Sequence, residues 1–306
     1  MRPVSAPTIS VIIPTHNRPA RLGECLEALS RQDYPRGAFE VIVVDDGTPD
    51  RARVAAALEP FRASLDVQLL TQENAGPAKA RNAGAAKAKF DYLAFTDDDC
   101  APRPHWLSEL AAAFEKLPDV VIGGSTVNGL SANPCSEASH RLVEYVVDYF
   151  LKKETPFFPS SNLALSRASF EAVGGFDTSF PLAAGEDRDF CAKVRHLGIR
   201  LIAAPGAVVE HRHPLDLRGF LRQHFNYGRG AFVCRRLSGA RDPRDMSIEP
   251  LRFYVDLVLL PFARHPAARG KLRLAALLFA SQAANVAGFL GELLTGSRAV
   301  SRVDGD

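Results

Sequence analysis

The chain has 306 residues, 46% hydrophobic and 24% charged, which suits one large domain or one domain with an appendage. Its net charge of +2 conceals an asymmetry: residues 212–302 hold 15 Lys/Arg against 6 Asp/Glu, on an otherwise acidic body. A basic tail points to an anionic surface such as a membrane. No basic array interleaved with aromatics is present, which argues against nucleic acid. The five cysteines are scattered and form no CxxC pair, so reduced thiols in a cytosolic setting are expected.

In chain order, Ile9–Pro14 reads as a strand closed by proline. Thr15–Pro19 is a turn into a helix with Leu22, Cys25, Leu26 and Leu29 on one face. Phe39–Val44 is the next strand, ending in Asp45 and Asp46. A carboxylate there would either accept from a nucleotide or cap the following helix. A helix over 50–61 and a strand over Val67–Leu70 continue a βαβα order, which implies a mostly parallel sheet. The helix opened by Gly76-Pro77 carries Lys79 and Arg81 in its first turns, where the helix dipole disfavours cations and a bound diphosphate would favour them. Neither GxGxxG nor GxxxxGK[ST] occurs.

The apolar run Phe90–Phe95 then meets three adjacent acids, Asp97, Asp98 and Asp99. Such a triplet at a strand end is either a solvated acidic turn or a site for a cation, and a hard divalent ion takes oxygen ligands. A helix over 106–116, a strand over Val120–Gly124, a loop over 125–137 and a helix over 138–151 follow. Phe157–Leu165 reads as an edge strand, and a helix over 167–173 stops at Gly174-Gly175. Glu186, Asp187 and Asp189 open another helix, which dipole complementation alone would explain. Ile199–Ala203 and Ala207–Val209 read as two strands, the second running into His211 and His213. A basic helix over 217–236 precedes two apolar segments, Phe253–Ala263 and Leu272–Leu294. The second, with Arg273, Gln282, Asn285 and Glu292, is too polar for a clear transmembrane span and too apolar for a free surface helix.

Six stretches in this order resemble the inverting family-2 glycosyltransferases of the GT-A fold. They are Val11–Arg18, Val43–Gly47, Ala80–Gly84, Thr96–Asp99, Gly174–Asp177 and Gly185–Asp187, spread over about residues 8–230. The resemblance implies an α/β GT-A fold: a mostly parallel sheet flanked by helices, with a catalytic domain over 1–236 and a helical, basic extension over 237–306. It also implies a nucleotide-diphosphate sugar donor, a UDP-sugar foremost. Pro14, Thr15, Asn17, Arg18, Asp46, Arg81, Asp97, Asp98 and Glu186 would contact that donor. Asp99 and His211 would hold Mn2+ or Mg2+, with His213 the lesser choice. Asp187 would be the general base. The acceptor would be a glycan or lipid-linked hydroxyl in cell-envelope glycan, polysaccharide or glycolipid synthesis. The enzyme would be cytoplasmic, peripheral at the inner face of the membrane. Gln223–Tyr227 departs from the Gln-x-x-Arg-Trp motif of processive synthases, which favours transfer of one sugar. The alternatives are a sugar nucleotidyltransferase and a non-catalytic sugar-nucleotide-binding module.

Overall fold

In the computed structural model, residues 6–180, 184–239, 241, 248–263 and 270–300 are described, with side chains through 295. Eight strands form one sheet. They are β1 (Ile9–Thr15), β2 (Phe39–Asp46), β3 (Val67–Gln72), β4 (Tyr92–Thr96), β5 (Cys100–Pro102), β6 (Val120–Asn128), β7 (Asn162–Ser166) and β8 (Arg200–His211). Their order is β3-β2-β1-β4-β7-β6-β8-β5. All lie parallel except β7 and β5, which pair antiparallel with their neighbours. The expected mostly parallel sheet is therefore present. Both its faces are covered, which is why β1 and β2 are buried at every position rather than alternating.

One face packs on α1 (Pro19–Ser30), α2 (Arg51–Leu58) and α4 (Trp106–Lys116), through Leu22, Leu26, Val54, Trp106 and Phe114. The other packs on α3 (Pro77–Lys87), α6 (Arg167–Val173) and α7 (Glu186–His196), around Phe95, Phe158, Phe170, Phe176 and Phe190. The rings of Phe176 and Phe190 stack with centroids 4.5 Å apart. Gly84 lets α3 approach the sheet, since a Cβ there would fall 2.6 Å from Ile12.

Several boundaries differ from expectation. Pro14 does not end β1, because β1 pairs with β4 only as far as Ile12 and the missing N–H lies beyond that ladder. The loop expected over 125–137 is instead the second half of β6 followed by the start of α5 (Pro134–Lys152). Asn133 caps α5 by accepting from the N–H groups of Cys135 and Ser136. A register shift between Gly124 and Ser125 hides the continuity of β6 from any period-two reading. The same irregularity makes β8 look like two strands, although it runs unbroken through Pro205-Gly206. Asn162 repairs the shift: its side-chain amide donates to the carbonyls of Ser125 and Ala207 and accepts from Trp106 Nε1. The edge strand expected over 157–165 shrinks to β7, because Phe158 turns inward over Gly123, where a Cβ would fall 1.9 Å from its ring.

The C-terminal part is helical: α8 (Leu217–Gly239), α9 (Leu251–Ala263) and α10 (Lys271–Val300). The boundary expected at 236/237 falls inside α8. Glycines let α8 and α10 meet backbone to backbone. A Cβ on Gly228 would fall 1.8 Å from the Asn285 carbonyl oxygen, and one on Gly288 would fall 1.9 Å from that of Phe225. Arg229 and Glu292 pair across the same crossing at 2.6 Å.

Candidate active site

The acid triplet sits where β4 ends, beyond the carboxyl edge of the sheet. Pairing of β5 with the end of β8 sets Cys100 opposite His211, and the Arg212 N–H donates to the Asp99 carbonyl at 2.8 Å. This brings both histidines to one carboxylate. His211 Nε2 lies 3.1 Å from Asp99 Oδ1, and His213 Nδ1 lies 3.1 Å from Oδ2. Arg18 and Arg21 also reach Oδ2, at 3.2 and 3.4 Å. Burial alone would raise the Asp99 carboxyl, but hydrogen bonds from the two imidazoles outweigh it and hold the group well below the usual range. Burial likewise opposes protonation of His211, and the Asp99 carboxylate overrides that and raises it.

Asp98 is buried among opposing partners. It accepts from Thr15 Oγ1 at 2.7 Å and Arg18 Nη1 at 3.1 Å, yet burial pushes its carboxyl up to about 6. Donor atoms of Asp99, Cys100 and His211 lie within 4.8 Å of one another. Burial, followed by Asp97 and Asp99, raises the Cys100 thiol well above its usual value, so it is not an anionic ligand. What remains is carboxylate oxygen plus imidazole nitrogen, a donor set suited to Mn2+ once the imidazoles are neutral and the arginines have moved aside. Asp99 and His211 fit that role, and His213 reaches the other oxygen of the same carboxylate.

Arg81 is buried and does not point at a free anion. Its guanidinium donates to Asp97 Oδ1 at 2.8 Å and to Glu186 Oε1 at 3.1 Å. The Arg81 cation in the first turns of α3 is therefore balanced by two side chains at the cavity wall. Arg81 is also the tie between the acid triplet and α7.

Three acids open α7, and their surroundings separate them. Asp189 is fully buried and pairs with Lys193 at 3.2 Å and with Arg241. Glu186 is 5% exposed and bonded to Arg81. Burial pushes its carboxyl up to about 7, with the neighbouring Asp187 adding to the rise and Arg81 opposing it. Asp187 is half-buried and faces the cavity, and among the described residues only the Arg188 N–H bonds its carboxylate, at 2.8 Å. Burial raises it as well, against Arg81. Gly185, at φ +95°, starts the helix where a Cβ would fall 2.9 Å from the Gly230 carbonyl oxygen.

Pro14, Thr15 and Arg18 line the cavity; Asn17 does not. Asn17 sits at φ +55° and donates its backbone N–H to Thr48 Oγ1. Asp46 lines the cavity edge, but its oxygens accept from Gln72 Nε2 and from the N–H groups of Ala75 and Gly76 at 2.7–2.9 Å. It therefore braces the turn into α3 rather than capping α2. Sequence reasoning missed His16, which bonds the Asp46 carbonyl at 2.8 Å, and Arg21, and it named His213 only as the lesser choice beside His211. Residues two apart in an extended chain share a face, and that signal would have paired His213 with His211.

The triplet, both histidines, Arg81, Glu186 and Asp187 open into one cavity of about 1380 Å³. It reaches from the triplet past Asp187 to α5, α9 and α10.

Residues 10–174 match the family model described as Glycosyl transferase family 2. A pre-mycofactocin glycosyltransferase of Mycobacterium tuberculosis is 31% identical over 242 residues, which are 75% of this chain and 48% of that one. A validoxylamine A glucosyltransferase of Streptomyces hygroscopicus subsp. jinggangensis is 33% identical over 224 residues, 63% and 52% of the two chains. The chain thus spans about half the length of these relatives. Among solved structures, the mannosyltransferase PcManGT from Pyrobaculum calidifontis, in complex with GDP-Man and Mn2+, aligns with a TM-score of 0.59 and 25% identity over 97% of this chain and 81% of that one. S. aureus TarS 1-349 in complex with UDP-GlcNAc shares the fold, with a TM-score of 0.57 at 17% identity over 94% and 92%.

Proposed function

The chain belongs to glycosyl transferase family 2, and from that premise we propose that it moves a sugar from a nucleotide-diphosphate sugar to an acceptor hydroxyl with inversion, assisted by a divalent metal. The observation that carries this reading is the buried Arg81, which ties Asp97 of the triplet to Glu186 beside Asp187 across one cavity. The named ligands of the structural neighbours, GDP-Man with Mn2+ and UDP-GlcNAc, support a nucleotide-sugar donor, and we take a UDP-sugar as first choice.

Asp99, His211 and His213 would hold Mn2+ or Mg2+. Bound there, the ion would supply charge stabilisation to the departing diphosphate. The protein's own part is as follows. Asp98, fixed by Thr15 and Arg18, holds the β1 loop against the metal ligands. Arg81 keeps Asp97 and Glu186 in register. Asp187, bonded by one backbone N–H, takes the proton from the acceptor hydroxyl as its oxygen attacks the anomeric carbon. One displacement inverts that carbon.

The same reading places the protein at the inner face of a membrane. Within Lys271–Thr295 of α10 an 18-residue window has a mean hydropathy of 1.5 and only 17% of it is buried, and the surrounding segment is basic. Basic residues near an anionic leaflet contribute about 1 kcal/mol each.

The test is product analysis with a panel of UDP-, GDP- and dTDP-sugars. Release of nucleoside diphosphate that stops in EDTA and returns with Mn2+ is the expected result. Pyrophosphate release would point to nucleotidyl transfer, and full turnover without metal would remove the metal from the reading.

A further inference from the structure

Transfer chemistry uses only one end of the cavity. Past Asp187 it continues between α5, α9 and α10, walled by Val143, Val146 and Phe150 of α5, Phe253 and Leu257 of α9, and Phe289 of α10. The total volume of about 1380 Å³ exceeds the ~300–1,000 Å³ of ordinary small-molecule sites.

Helix α5 is the anomaly. None of its residues from 141 to 151 is fully buried. Val147 and Leu151 pack on the sheet core, whereas Val143, Val146 and Phe150 form a stripe at helical spacing that faces the cavity. Arg188 stands where this arm meets the reaction site. Its guanidinium lies over the rings of Phe150 and Phe157, 5.0 and 5.6 Å from their centroids, and it has no carboxylate partner among the described residues. A cation held on aromatic faces at the mouth of an apolar slot matches a molecule with an anionic head and an apolar chain.

We propose that the acceptor is an anionic amphiphile: its chain lies in the α5/α9/α10 arm, its anionic group meets Arg188, and its head-group hydroxyl reaches Asp187. The proposal rests on the transferase reading above and names its acceptor class. In the step, the acceptor oxygen bonds to the anomeric carbon, and the carbon–oxygen bond to the diphosphate breaks and leaves its electron pair on the nucleoside diphosphate. The acceptor proton passes to the Asp187 carboxylate. The products are the glycosylated amphiphile and the nucleoside diphosphate.

The experiment titrates the full chain with n-butyl, n-octyl and n-dodecyl phosphate, each below its micelle concentration, with dodecyltrimethylammonium as the head-group control. A parallel assay follows metal-dependent hydrolysis of the donor. Affinity is expected to rise about fourfold per added methylene. Val146→Trp and Val143→Trp, which narrow the arm, should each weaken dodecyl phosphate at least tenfold and butyl phosphate little, with donor hydrolysis unchanged. Arg188→Gln should erase the preference for phosphate over ammonium. The double variant Phe279→Ser/Leu294→Ser, on the outer face of α10, should retain the chain-length dependence. Affinity that ignores chain length would overturn the proposal. So would a chain-length dependence lost in the outer-face variant but kept in both tryptophan variants. Chain binding as expected without donor hydrolysis would sink the transferase reading, and the acceptor role with it, and would leave a binding site alone.

Discussion

Replacing Arg81 with Met removes the one cation between two carboxylates, and its cost should depend on pH. In the folded protein the Glu186 carboxyl is pushed up to about 7 from an ordinary 4.5, chiefly by burial. The folded state therefore holds a proton that the unfolded chain releases, and stability is lost as pH rises from the ordinary value to about 7. Above that the loss levels off in the wild type, because Arg81 stabilises the ionised form. Without Arg81 the carboxyl climbs further and the loss continues, at about 1.4 kcal/mol per pH unit. At pH 5 Glu186 is neutral in both proteins. The variant then loses only hydrogen bonds and the partly solvated pair with Asp97, about 1–3 kcal/mol. At pH 8 the further unit of titration brings the penalty to roughly 3–4 kcal/mol, within the range for breaking a buried ion pair. Urea unfolding of both proteins at pH 5 and pH 8 measures the difference directly. A penalty equal at the two pH values would refute the reasoning, since it would mean that Glu186 does not titrate against Arg81. Adding Glu186→Gln to the variant should shrink the pH dependence of the penalty to the part that Asp187, which Arg81 also opposes, contributes.

Asp187→Asn should lower turnover roughly 10²–10⁴-fold with donor affinity nearly unchanged, measured by calorimetry with Mn2+ alongside initial rates. Asp99→Asn should weaken Mn2+ and donor binding together; retention of both would detach Asp99 from the metal. His213→Ala should reduce Mn2+ affinity about as much as His211→Ala, because each imidazole lies 3.1 Å from one oxygen of the same carboxylate. The wild-type rate should fall as pH drops through values above the ordinary aspartate range, since burial raises Asp187 and the base must be ionised. The full chain should bind anionic vesicles at low salt and release them as salt rises, and Phe279→Ser/Leu294→Ser, at positions 66% and 72% exposed, should bind them more weakly.

The alternation of strands and helices in the first hundred residues was legible because each apolar run there has a proline, glycine or acid at its end. Trp106–Lys116 and Arg167–Val173 fall where the sequence puts them. The middle of the chain was not, and the reason is local. One register shift at Gly124/Ser125 breaks the period of β6, and the group that accommodates it, Asn162, lies 37 residues away. The candidate site divides the same way. Asp97–Asp99 announce themselves as a run of like charge. Arg81 looks like an anion ligand until folding places it between Asp97 and Glu186, a pairing that spans 105 residues. Nothing local distinguishes Asp187 from Asp189; what separates them is that Lys193 and Arg241 neutralise only the latter.

Helix α8 has glycines at 228 and 230, which at about 100° per residue lie on opposite sides of it. One seats against the Asn285 carbonyl of α10, and a Cβ on the other would fall 2.0 Å from the Ala184 carbonyl, in the turn just ahead of Glu186 and Asp187. Side chains elsewhere in a protein act as springs: a displaced helix is absorbed by rotamers that shift. Here the stack is peptide plane on peptide plane, with nothing compliant in between. A push on the outer helix therefore passes through α8 to the turn that carries Glu186 and Asp187. The position of α10 and the alignment of Asp187 become one mechanical coordinate, and a change that shifts α10 should register first in turnover and only later in unfolding.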